Sequence, residues 1–201
     1  MRSVRTISKL GIATLLLFLW TAVAASASVI WDEAIDGSLS TDRLATTDMG
    51  TLGIGSNDII ATLASGIGKF YSITIASGSE LSALIVEDID PGEGQSFIAV
   101  VSGAQFTVDP AAPDVTQLLG YVQYGTSDVG QDVLGSMGAG PGSQGFSGAL
   151  GAGTYSFWAR QGALDPETSD LNFVVTSLPE PSFGLLLGVG LLLLNRRQRR
   201  D

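Results

Sequence analysis

Between Ser28 and Leu178 the apolar positions recur with a period of two, in short runs broken by Gly, Asp, Pro and Ser. In Phe70–Ala76, Tyr71, Ile73 and Ile75 fall on one face and Ser72 and Thr74 on the other, the alternation of a strand with one packed side. Leu81–Val86, Gln95–Val101, Ala104–Val108 and Leu118–Tyr124 read as further strands. Toward the end, Thr154–Arg160 groups Tyr155, Phe157 and Ala159, and Leu171–Ser177 groups Leu171, Phe173 and Val175. No stretch of this region keeps an apolar period of 3.6 over three turns. Half-polar strands need a second sheet to cover their apolar side, so the pattern predicts an all-β fold, an antiparallel β-sandwich of jelly-roll-like form. The glycines at 135, 138, 140, 142, 145, 148, 151 and 153 predict a long surface loop ending in a tight turn.

Two apolar runs show no alternation, and both lie at the ends. Leu10 to about Ala24 follows Arg2, Arg5 and Lys9 and precedes Ala25-Ser26-Ala27, the layout of a secretory signal peptide with small residues at Ala25 and Ala27 for a cut after Ala27. The second run, Phe183–Leu194, would rise about 18 Å as a helix, against a bilayer core of about 30 Å. It can enter a membrane, but as a marginal anchor. Arg196, Arg197, Arg199 and Arg200 behind it act as a cytoplasmic stop. Pro179 and Pro181 ahead of it hold the chain extended and present Glu180 just outside the membrane. Three segments result: a signal helix over 1–27, a sandwich over 28–178, and a tail over 179–201 with a short transmembrane helix.

Charge narrows the partners. The sandwich region holds 18 of the 20 acidic residues and only Arg43, Lys69 and Arg160 of the 10 basic ones, a formal balance of −15. Such a surface repels phosphate backbones, which argues against nucleic acid. The chain has no Cys and no His, so burial holds the domain together, and the usual general base, zinc ligand and partner of a serine nucleophile are missing. Loop carboxylates in EDIDPGEG (Glu87, Asp88, Asp90, Glu93) and DVGQD (Asp128, Asp132) offer oxygens to calcium, or serve as turn formers and solvated acids. Trp31 and Trp158 have the chemistry to stack on sugars or to fill a core. A glycoside hydrolase needs only two carboxylates, but the spacing singles out no pair, so no catalytic or metal residue is assigned.

The run Leu178-Pro179-Glu180-Pro181-Ser182, the short apolar helix and the arginine end closely resemble the PEP-CTERM sorting signal. The resemblance implies recognition of Pro179, Glu180 and Pro181 by exosortase, a membrane-embedded protease of transpeptidase type, after signal peptidase has acted at the other end. It further implies a Gram-negative envelope, a transient membrane anchor, and release to an exopolysaccharide or biofilm matrix as a non-enzymatic component. More loosely, Gly151-Ala152-Gly153-Thr154-Tyr155 with the final strand is similar to the last hairpin of bacterial pre-peptidase C-terminal-like domains, with WDEAIDGSLS, GIGSND and FYSITIASGSELSALIVED as their opening. Two other roles remain open for the sandwich: a carbohydrate-binding or calcium-dependent adhesion module, and a small glycoside hydrolase.

Overall fold

The computed structural model describes residues 28–92, 94–162 and 165–179. Nine strands form two sheets: β1 (Ser28–Asp32), β3 (Asn57–Leu63), β9 (Glu167–Ser177) and β5 (Ser79–Asp90) in the order β1-β3-β9-β5, and β2 (Thr47–Thr51), β4 (Lys69–Ile75), β8 (Gly153–Gln161), β6 (Ser96–Ser102) and β7 (Gly120–Tyr124) in the order β2-β4-β8-β6-β7. Two short helices, α1 (Glu33–Asp36) and α2 (Leu134–Gly138), lie in the connections.

The sheets pack face to face over a common core. Ile59, Leu84, Val86, Leu171 and Phe173 come from one sheet, and Tyr71, Ile73, Ile98, Val100 and Phe157 from the other. At its centre Tyr71 stacks on Phe157 at 5.4 Å, and Phe173 meets both rings edge-on at 6.2 and 5.3 Å. Every inward position read from the alternation of Phe70–Ala76 and Leu171–Ser177 lies in this core.

The sheets are mixed and not purely antiparallel, because β1 pairs with β3 and β2 with β4 in parallel. The cause lies in the connections. From β1 to β4 the chain changes sheet at every step and reverses direction each time. Strands two apart in sequence therefore point the same way when they become neighbours. The remaining strand pairs are antiparallel: β3 with β9 and β4 with β8 are nested, and β5 with β9, β6 with β8 and β6 with β7 complete the sheets. Between these, the free edge of β5 is met by the irregular segment 129–133, where Gly130 and Val133 donate to the carbonyls of Val86 and Leu84 at 2.7 and 2.8 Å.

Two stretches depart from their sequence reading. Ala104–Val108 is not a strand. It belongs to the long connection between β6 and β7, which crosses the outer face of the five-stranded sheet and drives Phe106, Val108 and Leu118 onto Phe70, Ala99, Val101 and Trp158. The positions expected to be wet on that face are thus covered by a second small core. The glycine-rich stretch also packs. Met137 and Leu150 join the main core, and backbone approaches closely enough that a Cβ at Gly138 would lie 2.4 Å from the Phe146 carbonyl oxygen. Glycine serves close approach here more than flexibility.

Candidate functional site

The strand registers set all strand ends at one of two poles. The start of β1, the start of β3 and the end of β9 share one pole, together with the ends of β2, β4 and β6 and the starts of β5 and β8. Ser28 and Leu178, the two points from which the terminal segments depart, therefore leave from the same end. Leu178 donates its N–H to the Gly78 carbonyl at 2.8 Å, and the exposed Pro179 follows with no linker between strand and motif.

Charge is divided between the poles. At the pole of the termini, the loop stretches 50–57 and 75–79 and the stretch 177–179 carry no Asp, Glu, Lys or Arg, while Asp58 and Glu80 follow directly in β3 and β5. Ile54 and Leu178 stand exposed there. At the opposite pole lie Glu33, Asp36, Asp42, Asp90, Asp128 and Asp165 with Lys69 and Arg160, while Arg43 bonds the 104–108 crossing. Many of the loop carboxylates that seemed spread along the sequence thus lie at the far pole.

Most of the sequence-assigned site residues, Ala25, Ala27, Glu180, Pro181, Arg196, Arg197, Arg199 and Arg200, lie outside the described residues; Pro179 alone lies within. Among the described residues no helix is long and apolar enough to cross a membrane. Glu93 also falls outside. Asp128 and Asp132 act as turn formers: Asp128 accepts from Gly125 N–H at 2.8 Å, and Asp132 accepts from Leu84 and Leu134 N–H at 3.0 and 2.9 Å. Among the described residues no group of three carboxylates is arranged to hold a metal ion. Trp31 is half-buried and donates to the Gly37 carbonyl at 3.2 Å.

What the sequence did not reveal is an acidic strip on the outer face of the four-stranded sheet. Strand register places Asp58 of β3 opposite Asn172 and Asp170 of β9 opposite Asp88 of β5. Asn172 donates to Glu87 at 3.0 Å. One oxygen each of Asp58 and Asp170 is buried without a partner among the described residues. Burial, reinforced by the charges of Asp58, Glu87, Asp88 and Asp32, pushes the Asp170 carboxyl up to about 6.

At the far pole two buried ionisable groups join the sheets. Lys69 of β4 donates to Glu33 at 2.8 Å and to Ser38 at 2.6 Å, while Glu33 also accepts the backbone N–H groups of Leu39 and Thr62. Burial alone would raise the Glu33 carboxyl, but these hydrogen bonds and the Lys69 charge outweigh it and hold it below the usual range. Glu167 of β9 accepts from Ser96 of β6 and, at 2.8 Å, from Gln161 of β8. These groups brace the fold.

Beside them a cavity of about 350 Å³ opens on the outer face of the five-stranded sheet, lined by Thr41, Phe70, Asp109, Trp158, Arg160 and neighbouring backbone of Gly66 and Gly68. Trp158 is 3 % exposed, and its indole N–H has no acceptor among the described residues. The Arg160 guanidinium lies 5.2 Å from the Trp158 ring and 5.8 Å from that of Phe97. No protein-family model, no curated protein and no solved structure matches this chain.

Proposed function

We propose that this chain is an exported, non-enzymatic envelope or matrix protein, delivered by its signal peptide and sorted by an exosortase through Pro179, Glu180 and Pro181. The observation that carries the reading is the shared pole of Ser28 and Leu178. A domain tethered to a bilayer at both ends during export must present one end to it, and here the two departure points agree. Pro179 lies four residues before the apolar run at Phe183, a reach of at most about 14 Å, so the departing pole is held close to the lipid surface. The loops 50–57 and 75–79 at that pole carry no charged residue. A domain with a balance of −15 is repelled by anionic lipid, and the far-pole acids are turned away from it. The nested strand pairs β3 with β9 and β4 with β8 support the jelly-roll form of the sandwich.

The test is intact mass and C-terminal peptide mapping of the protein from the host's outer fraction, beside a strain lacking exosortase. A mature chain beginning at Ser28 and lacking Phe183–Asp201 only when exosortase is present is the expected result. A full tail in both strains would make the tail a plain anchor and overturn the sorting reading.

A further inference from the structure

Ile54 stands 60 % exposed in the connection between β2 and β3, on backbone that is bonded from several sides. The buried Asn57 side chain braces this loop from beneath. Its Oδ1 accepts the Gly53 N–H at 3.0 Å, and its Nδ2 donates at 3.0 Å to the carbonyls of Gly53, Gly55 and Phe173. Gly55 and Val175 exchange both backbone bonds, at 2.8 and 2.9 Å, which ties the loop to the last strand. Leu52 is buried, and its N–H donates to the Thr74 carbonyl at 3.0 Å. The loop is therefore a fixed mount for one outward isoleucine. A single exposed apolar side chain is ordinary on a protein surface, so its surroundings decide its meaning. The connections 52–56, 76–78 and 150–152 all meet at this pole, and none carries a charged residue. Leu178, 45 % exposed, closes the last strand at the same end, one residue ahead of Pro179. Ile35 and Ile67, also exposed, belong to the far pole and lie within two residues of Glu33, Asp36 or Lys69.

We infer that Ile54 and Leu178 form an interfacial contact of the folded domain with a lipid surface, so that the anchored protein is seated on the bilayer by its loop tips as well as held by its tail. The inference rests on the reading that the tail enters the membrane, and adds a second, folded contact to it. The apolar run begins at Phe183, five residues beyond Leu178, a reach of at most about 18 Å. Pro179 and Pro181 fix φ along this span, which limits how far the domain can swing away. The loop chemistry selects lipid over the other occupants. A second copy of the chain would need roughly 800 Å² of buried surface on each partner, and two large apolar side chains among Gly, Ala and Ser do not supply it. A charged macromolecule finds no opposite charge on these loops. The headgroup layer, in contrast, takes up single apolar side chains while keeping loop backbone hydrated. Asp58 and Glu80, which follow the loops in β3 and β5, keep the seating shallow, with only the tips entering.

The experiment uses the full chain reconstituted into phosphatidylcholine vesicles that contain a lipid brominated on its acyl chains as a quencher. The chain has no Cys, so Ser77→Cys at the pole of the termini and Ile67→Cys at the far pole each carry one environment-sensitive thiol label. Lipid quenching of the label at 77 should exceed that at 67 by at least about threefold. Ala152→Cys, in the neighbouring connection, repeats the measurement and should match 77. Ile54→Asp, at an exposed position, should leave the melting midpoint unchanged and lower the quenching at 77 by about half or more, while Ile54→Leu retains it. Flotation with the vesicles reports separately whether the chain is membrane-held. Equal quenching at 77 and 67, or quenching at 77 unmoved by Ile54→Asp, in a chain that floats would overturn the inference and leave the tail reading standing. A chain that does not float would overturn the tail's entry into the membrane and this inference with it.

Discussion

The second core on the outer face of the five-stranded sheet should be worth several kcal/mol, and Phe106→Ala measures it. Phe106 is fully buried, though it lies in a connection and not in a strand. Its ring sits 5.7 Å from Phe70 and 5.8 Å, edge-on, from Trp158. Truncating a buried Phe costs about 3 to 5 kcal/mol, from the lost transfer energy and the cavity left behind. Loop backbone relaxes into a void more readily than a strand, which favours the lower end, about 3 kcal/mol. For a chain of this size that lowers the melting midpoint by about 6 to 12 °C. The assay is urea denaturation with a thermal scan beside it, and the expected signature is a lower denaturant midpoint with an unchanged slope. A loss below about 1 kcal/mol, or a midpoint shift under about 2 °C, would refute the reasoning, because the connection would then lie on the sheet without anchoring to it.

Glu33→Gln should destabilise by about 3 kcal/mol in denaturant titration, since it leaves the Lys69 ammonium buried without its carboxylate, and adding Lys69→Met to that variant should restore part of the loss. Asp170→Asn should flatten the pH dependence of stability. With its folded pKa raised to about 6, this group favours the folded state fully below the unfolded value near 4 and loses that contribution as pH rises to about 6. The full shift would correspond to about 3 kcal/mol, and solvent screening reduces it to about 1, so the variant should be more stable than the parent by about 1 kcal/mol at pH 7 and equal to it at pH 4 in paired melts. Gly138→Ala should cost about 2 kcal/mol in the same assay, because its Cβ would press on the Phe146 carbonyl.

Strands with strict alternation were legible because burial on one face writes a period of two into the sequence. Tyr71, Ile73, Phe157, Phe173 and Val175 all occupy the inward positions that this period assigns. Strand β3 escaped notice: Ile59 and Ile60 stand side by side in a sequence that opens with Asn and Asp, although Ile59, Ala61 and Leu63 do alternate inward. Ala104–Val108 imitated a strand because a segment lying flat on a sheet also buries every second residue, here Phe106 and Val108. The parallel edges were illegible for a different reason. Direction depends on which sheet each connection enters, and no local pattern records that. The carboxylate at Asp170 and the cation at Arg160 drew no notice for a similar reason. Their neighbours, Asp58 and Asp88 for one and Phe97 for the other, are brought by pairing between strands distant in sequence.

The division of charge between poles links fold to placement. The pairing of β9 beside β3 returns the last strand to one of the first, so both terminal segments leave from one end as a consequence of topology. The loops at that end are then the ones nearest any membrane the segments enter. Uncharged, glycine-rich loops there lower the work of bringing a strongly acidic domain against anionic lipid, while the buried pairs Glu33–Lys69 and Glu167–Gln161 close the opposite end without large apolar loops.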